Sequence, residues 1–142
     1  MLDIRHLNDR FAVAPQIDAE DLPAIAAAGF VAVINNRPDG EEDGQPAGEA
    51  IRHAAEAAGL TYTAIPVGHA GLGEGELDAM TAAVTAADGP VLAFCRSGTR
   101  SCHLWALSAA RAGRDPALLV AQAQGSGYDL RGLQPLLTRL AG

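Results

Sequence analysis

Hydrophobic and polar positions follow two rhythms along this chain. Phe11-Ala12-Val13-Ala14, Phe30-Val31-Ala32-Val33-Ile34 and Val91-Leu92-Ala93-Phe94 are unbroken apolar runs. Runs of that length and composition predict strands buried on both faces of a parallel sheet. Leu60 to Val67 alternates apolar and polar residues as far as Ile65, predicting a further strand. Helical spacing fills the intervals. Leu22, Ile25, Ala26 and Ala28 form one apolar stripe, with Asp18 as N-cap and Gly29 as stop. Ala47–Ala58 places Ile51, Ala54 and Ala55 inward, and Gly73–Ala87 does the same with Leu77, Met80, Ala83 and Val84. Further helices are predicted from Ser101 to Ala112, from Asp115-Pro116 onward, and from Leu130 to Leu140. This alternation with short connections predicts an α/β fold: a central, mostly parallel sheet flanked by helices, with a helical C-terminal part.

The most informative stretch is Pro90–Trp105. The apolar run ending at Phe94 gives way to Cys95-Arg96-Ser97-Gly98-Thr99-Arg100-Ser101, after which helical spacing resumes. A strand, a tight loop and a helix start form an anion-binding arrangement, because loop N–H groups and the helix N-terminus point their positive ends at one place. Gly98 supplies the backbone freedom such a cradle needs. Cys95 lies at the focus of those donors, and Arg96 and Arg100 add positive charge, so a thiolate nucleophile is expected there. A core cysteine would need none of these neighbours.

Other loops change the picture less. Asn35 to Pro46 is too polar to build a core and follows a strand, as Cys95 does; parallel strands would bring both loops to one edge. Asn36, Arg37 and Asp39 are candidates to face the cysteine, whereas Glu42, Asp43 and Gln45 are expected on the surface. In Gly68-His69-Ala70-Gly71-Leu72-Gly73 the one group able to carry a proton near neutral pH is His69, which is either a proton carrier or a solvent-facing loop residue. Cys102 is either a resolving thiol for Cys95 or a buried helix cysteine turned away from it. Trp105 is expected in the core, His103 partly buried and His53 on the surface.

Composition narrows the function classes. The 142 residues predict one domain over positions 1–142. A net charge of −7 argues against general binding to nucleic acid or an anionic membrane. No apolar run approaches the length of a membrane span, and Met1-Leu2-Asp3-Ile4-Arg5 lacks a signal-peptide core. The two cysteines and four scattered histidines show neither a disulfide framework nor metal-ligand spacing. No metal, no cofactor and a cytoplasmic, reducing setting are therefore expected.

The cysteine loop resembles two families. Cysteine-dependent phosphatases carry cysteine, five residues and then arginine, so their arginine would fall at Ser101; this chain has Arg100, one place earlier. Cys-x-x-Gly-x-Arg-Ser is similar to the loop of rhodanese-type sulfurtransferases, in which the cysteine carries sulfane sulfur as a persulfide. One residue on a helix turns a side chain by about 100°, so a bidentate phosphate grip is not conserved by such a shift. Taken with Ala14-Pro15-Gln16, Val33-Ile34-Asn35-Asn36-Arg37-Pro38-Asp39-Gly40-Glu41, Ile65-Pro66-Val67 and Leu104-Trp105-Ala106-Leu107, the chain resembles the bacterial phosphatase-like, beta-lactamase-hydrolase-like sulfurtransferases. That domain is also found fused to persulfide dioxygenases. The tail beyond Gly113 is not covered.

The resemblance implies a dual-specificity tyrosine-phosphatase-like fold and catalytic roles for Cys95 and Arg100. It implies an anion-binding loop of Arg96, Ser97, Gly98, Thr99 and Ser101, and a persulfide dioxygenase as partner. Sulfur transfer is the expected activity, using a small anionic sulfur donor. A cysteine-dependent phosphatase acting on a phosphorylated substrate is the alternative, and a non-catalytic redox or partner-binding module is a third. Sulfur transfer leads because phosphate-ester hydrolysis needs a placed acid, and no carboxylate precedes Glu74 in the loop where phosphatases carry one.

Overall fold

A computed structural model describes residues 2–68 and 70–142. A five-stranded sheet runs through it in the order β1-β2-β5-β3-β4. Its strands are β1 (Arg5–His6), β2 (Phe11–Ala14), β3 (Ala32–Asn35), β4 (Thr61–Ala64) and β5 (Val91–Phe94). The short β1 pairs antiparallel with β2, and every other pairing is parallel. Among the described residues six α-helices surround the sheet: α1 (Leu22–Ala27), α2 (Gly48–Ala57), α3 (Glu74–Ala86), α4 (Thr99–Arg111), α5 (Pro116–Gly125) and α6 (Gln134–Ala141).

The strand period of two explains how one sheet carries two cores. Along β5, Val91 and Ala93 join one cluster, with Cys102, Leu104, Leu119 and Leu137 from α4, α5 and α6. Leu92 and Phe94 join the other, with Leu22 and Ile25 of α1 and Ile51 and Ala55 of α2. All four β5 residues are buried, as the unbroken apolar run predicts for a central strand. Trp105 lies in the first core against Phe11, ring centroids 6.2 Å apart.

Register decides where the functional loops meet. Ala14, Phe94, Asn35 and Ala64 stand in a row across β2, β5, β3 and β4. Each is the last residue of its strand, so four chain exits converge on one edge. Backbone hydrogen bonds continue the sheet a little beyond that row: Asn36 N donates to Phe94 O at 2.8 Å, Val67 N to Asn36 O at 2.9 Å, and Gln16 N to Arg96 O at 3.2 Å.

Three local differences from the sequence pattern have plain causes. The β1 strand was not anticipated, because Arg5-His6 has no apolar rhythm and enters the sheet by its pairing with β2. The first helix is preceded by a 3₁₀ turn over Ala19–Asp21, so its regular part begins at Leu22 with Pro23 in the first turn, where a missing N–H costs nothing. Helix α4 starts at Thr99 and not Ser101, since Gly98 already turns the backbone at φ 90°.

Candidate functional site

Cys95 follows β5 directly, and its side chain is fully buried. Gly98 N donates to its Sγ at 3.1 Å, so the loop folds back on the sulfur from the α4 start. Gly98 is in the left-handed region, and a Cβ there would lie 2.1 Å from the Tyr128 hydroxyl oxygen. That hydroxyl donates to Ser97 O at 3.0 Å, pinning the loop from the turn after α5. Tyr128 thus backs the cradle. Burial raises its pKa above the usual phenol value, which keeps the proton available for donation.

The two exposed hydroxyls of the loop bond to each other: Ser97 Oγ donates to Thr99 Oγ1 at 3.0 Å and accepts from Thr99 N at 3.3 Å. Ser101 differs. It is fully buried and donates to Asn36 Oδ1 at 2.8 Å, while Asn36 Nδ2 donates to Ile65 O at 2.9 Å. These two residues join the loops after β5, β3 and β4 beneath the surface. Their side chains are committed to that strut, which makes them positioning side chains.

Arginines and carboxylates form the rim. Arg100 donates from Nη1 to Glu41 Oε2 at 2.6 Å and to Val67 O at 2.8 Å, and from Nη2 to Glu41 Oε1 at 2.8 Å. Arg37, only 3% exposed, donates to Glu41 Oε1, to Gln16 Oε1 and to Glu42 Oε1 at 2.9, 3.0 and 2.9 Å. Glu41 therefore serves two guanidiniums with one carboxylate. Chiefly through Arg100, and against the effect of its own burial, its pKa falls to about 2. Arg100 is held above its ordinary value, first by Glu41 and further by the Cys95 sulfur beside it. Arg96 is largely exposed, 3.7 Å from Glu42. An open cleft of about 350 Å³ is walled by Glu41, Gly68, Arg96 and Arg100.

One expectation about the loop after β3 is corrected. Asp39 does not turn toward the cysteine: its Oδ1 accepts from Gly48 N at 2.8 Å, satisfying an orphan donor at the start of α2. Glu42 is exposed as expected and Gln45 half-buried, yet both brace the loop. Glu42 holds Arg37, and Gln45 bridges Glu41 N and Pro38 O. His69 lies outside the described residues. Gln16, Glu41 and Tyr128 were missed as candidates. Glu41 had a weak local signal, an acid four residues after Arg37, but its pairing with Arg100 spans 59 positions.

Cys102, one turn into α4, sits in the core. Burial, and secondarily Cys95, pushes its thiol up to about 12, so it remains protonated at physiological pH. His103 is half-buried and held below its usual value by that burial. His53 is exposed. Among the described residues no cluster of three or more His, Cys, Asp or Glu side chains is placed to hold a metal. No helix among them is long and apolar enough to cross a membrane.

Residues 3–112 match the family described as beta-lactamase hydrolase-like protein, phosphatase-like domain. The chain belongs to this family. It is 42% identical over 108 residues to the beta-lactamase hydrolase-like protein of Agrobacterium fabrum, covering 76% of this chain and 25% of that protein. The chain thus spans about a quarter of the length of the curated relatives it matches. A candidate phosphatase of Neisseria meningitidis superposes with a TM-score of 0.83 at 31% identity, over 96% of this chain and 97% of that one. The core catalytic domain of a PP-IP phosphatase of S. cerevisiae shares the fold with a TM-score of 0.67 at 14% identity, covering 94% of this chain and 82% of that one. The fold is that of the tyrosine and dual-specificity phosphatases, as the sequence motifs implied.

Proposed function

We propose that the chain is a cysteine-dependent sulfurtransferase built on a phosphatase-like fold. The observation that carries this assignment is the engagement of Arg100. In phosphoryl transfer the loop arginine must present its fork to the transferring group. Here the Nη1/Nη2 edge of that guanidinium is on the Glu41 carboxylate, at 2.6 and 2.8 Å, which leaves an incoming group only the edge that includes Nε. The Cys95 sulfur nevertheless keeps its amide donor from Gly98, and a persulfide anion needs little more than such donors.

The chemistry balances without an added acid or oxidant. The Cys95 thiolate attacks the sulfane sulfur of thiosulfate or an organic persulfide, and sulfite or the donor thiolate leaves with the electron pair. The product is a persulfide on Cys95. An acceptor thiolate then attacks its outer sulfur, and the Cys95 thiolate departs. Loop N–H groups and the α4 N-terminus stabilise the anionic sulfur at each stage. In the longer relatives the remaining three quarters of the chain would supply the acceptor or consume the product, which is the role proposed for a persulfide dioxygenase partner. A cytoplasmic setting suits a persulfide carrier, because its thiol must stay reduced.

Phosphate-ester hydrolysis is the second proposal, and kinship favours it: the solved relatives named above carry phosphatase descriptions. Against it stand the Glu41 carboxylate on the Nη1/Nη2 edge of Arg100 and the lack of a carboxylate between Ile65 and Gly73. Glu41 cannot serve as the acid, being ionised far below neutral pH.

Mass spectrometry of the reductant-free protein after incubation with each donor separates the two. A gain of one sulfur on Cys95, lost in Cys95→Ser, is expected. Arg100→Lys should retain sulfur transfer at about 10- to 150-fold lower turnover, matching one lost charge-assisted contact of ~1.5–3 kcal/mol. Brisk hydrolysis of aryl phosphates through a phosphorylated Cys95 would replace this assignment with the phosphatase.

A further inference from the structure

Glu41 is an odd residue to find in an anion site. Catalytic arginines beside a cysteine loop are expected to be open to substrate, yet here a carboxylate of the same chain takes the Nη1/Nη2 edge of Arg100. Its placement is built in and not a chance surface pairing. Arg37, buried beneath the rim, fixes Oε1 from one side at 2.9 Å, and is itself anchored by Gln16 and Glu42. Gln45 holds the Glu41 backbone N–H at 3.1 Å. Arg100 is fixed from its other side by Val67 O. The carboxylate is thus preorganised, and it also walls the cleft alongside Gly68, Arg96 and Arg100.

Charge then selects the donor. Arg37, Arg96 and Arg100 bring three positive charges to the rim, and Glu41 and Glu42 remove two of them. A doubly charged oxyanion entering the cleft would meet one net positive charge and the Glu41 carboxylate in its wall. Like charges repel more strongly in a partly desolvated cleft than in water. A persulfide terminus carries a single charge and needs no bidentate fork.

We propose that Glu41 is a specificity-determining residue, which turns the Cys95 site away from dianions such as thiosulfate and phosphate monoesters and toward organic persulfides as sulfur donors. This deepens the sulfur-transfer assignment and rests on it for the donor. The exclusion of dianions stands on the geometry alone.

The test uses two readouts on wild type and Glu41→Gln. The first is the ratio of kcat/KM for thiosulfate to that for glutathione persulfide, expected to rise about tenfold or more in the variant, the worth of one freed charge-assisted contact. The second needs no turnover: protection of Cys95 from iodoacetamide by inorganic phosphate, expected to tighten by a similar factor. Adding Arg100→Lys to Glu41→Gln should remove most of the gain, since the freed fork is its source. An unchanged donor ratio together with unchanged protection would overturn the proposal. If wild type transfers sulfur from neither donor, the sulfur-transfer assignment fails and phosphate protection still decides the role of Glu41. Should Glu41→Gln fail to fold, Glu41→Asp keeps the charge but shortens its reach, and a smaller shift in the same direction is expected; none, or the opposite sign, would count against the proposal.

Discussion

Two loops leave adjacent strands at the same edge of the sheet and are built on opposite plans. The loop after β5 is made of backbone: Gly98 N reaches the Cys95 sulfur, Gly98 itself sits at φ 90°, and Tyr128 holds Ser97 by its carbonyl. Its exposed hydroxyls bond mainly to each other. The loop after β3 is made of side chains. Arg37, Glu41, Glu42, Gln45 and Asn35 hold it together, and Asp39 ties it to α2. A backbone cradle is sensitive to conformation and tolerant of side-chain identity. A side-chain web is the reverse, and it titrates.

The largest effect should come from Gly98→Ala. The added methyl meets the Tyr128 oxygen at 2.1 Å while the backbone is forced into a region that disfavours L side chains. Left-handed strain and overpacking together cost on the order of 3 kcal/mol or more. Thermal or urea unfolding measures this. Tyr128→Phe added to Gly98→Ala should recover part of the loss by removing the clashing oxygen. Equal stability of Gly98→Ala and wild type would dismiss the idea that conformation governs this loop.

That contrast also explains what could be read from the chain. The cysteine loop was legible because strand, loop and helix are contiguous: Val91–Phe94 has the predicted bounds, and a local motif encodes a local backbone shape. The side-chain web was not legible. Arg37, Asn36 and Asp39 were the candidates there, yet their actual partners are set by register across β3, β4 and β5. Asp39 went to α2, Asn36 to Ser101, and Glu41, seen only as part of a motif, took the arginines. Tyr128 reached the loop from within the helical tail, 31 positions from Ser97. Periodicity finds elements and cores, whereas pairings over such distances need the fold first.

The second prediction uses acid to separate the loops. The folded-state pKa of Glu41 is about 2, against an ordinary 4.5. Between those values the unfolded chain binds a proton that the native state refuses. Stability therefore rises with pH through that window and its Glu41 share is complete above about 4.5. Discounted for partial exposure, the share is about 2 kcal/mol. Unfolding free energies from pH 2 to 5 should show the slope, flattened in Glu41→Gln. A slope identical in the two proteins would mean that the web contributes nothing measurable. The Gly98 amide contact contains no carboxylate and should add nothing to this window.

The smallest effect tests whether the two plans are joined. Ser101 on α4 and Asn36 after β3 meet in a fully buried hydrogen bond of 2.8 Å, and Asn36 passes the connection to Ile65 O. Ser101→Ala leaves Asn36 Oδ1 without that donor in a place water does not reach. An unsatisfied buried acceptor costs about 1–3 kcal/mol, and loss of the desolvated hydroxyl offsets some of it, so about 1 kcal/mol is expected. Asn36→Ala should cost more, because it orphans both the Ser101 hydroxyl and the Ile65 carbonyl. If the strut couples the loops, the double variant will fall short of the sum by at least about 0.5 kcal/mol. Sulfur-transfer rates should follow the same cycle, since neither side chain faces the cleft and each would act only by setting the loops' relative position. Additive costs with unchanged rates would mean that the cradle and the web hold their shapes independently, and that sheet register alone brings Glu41 to Arg100.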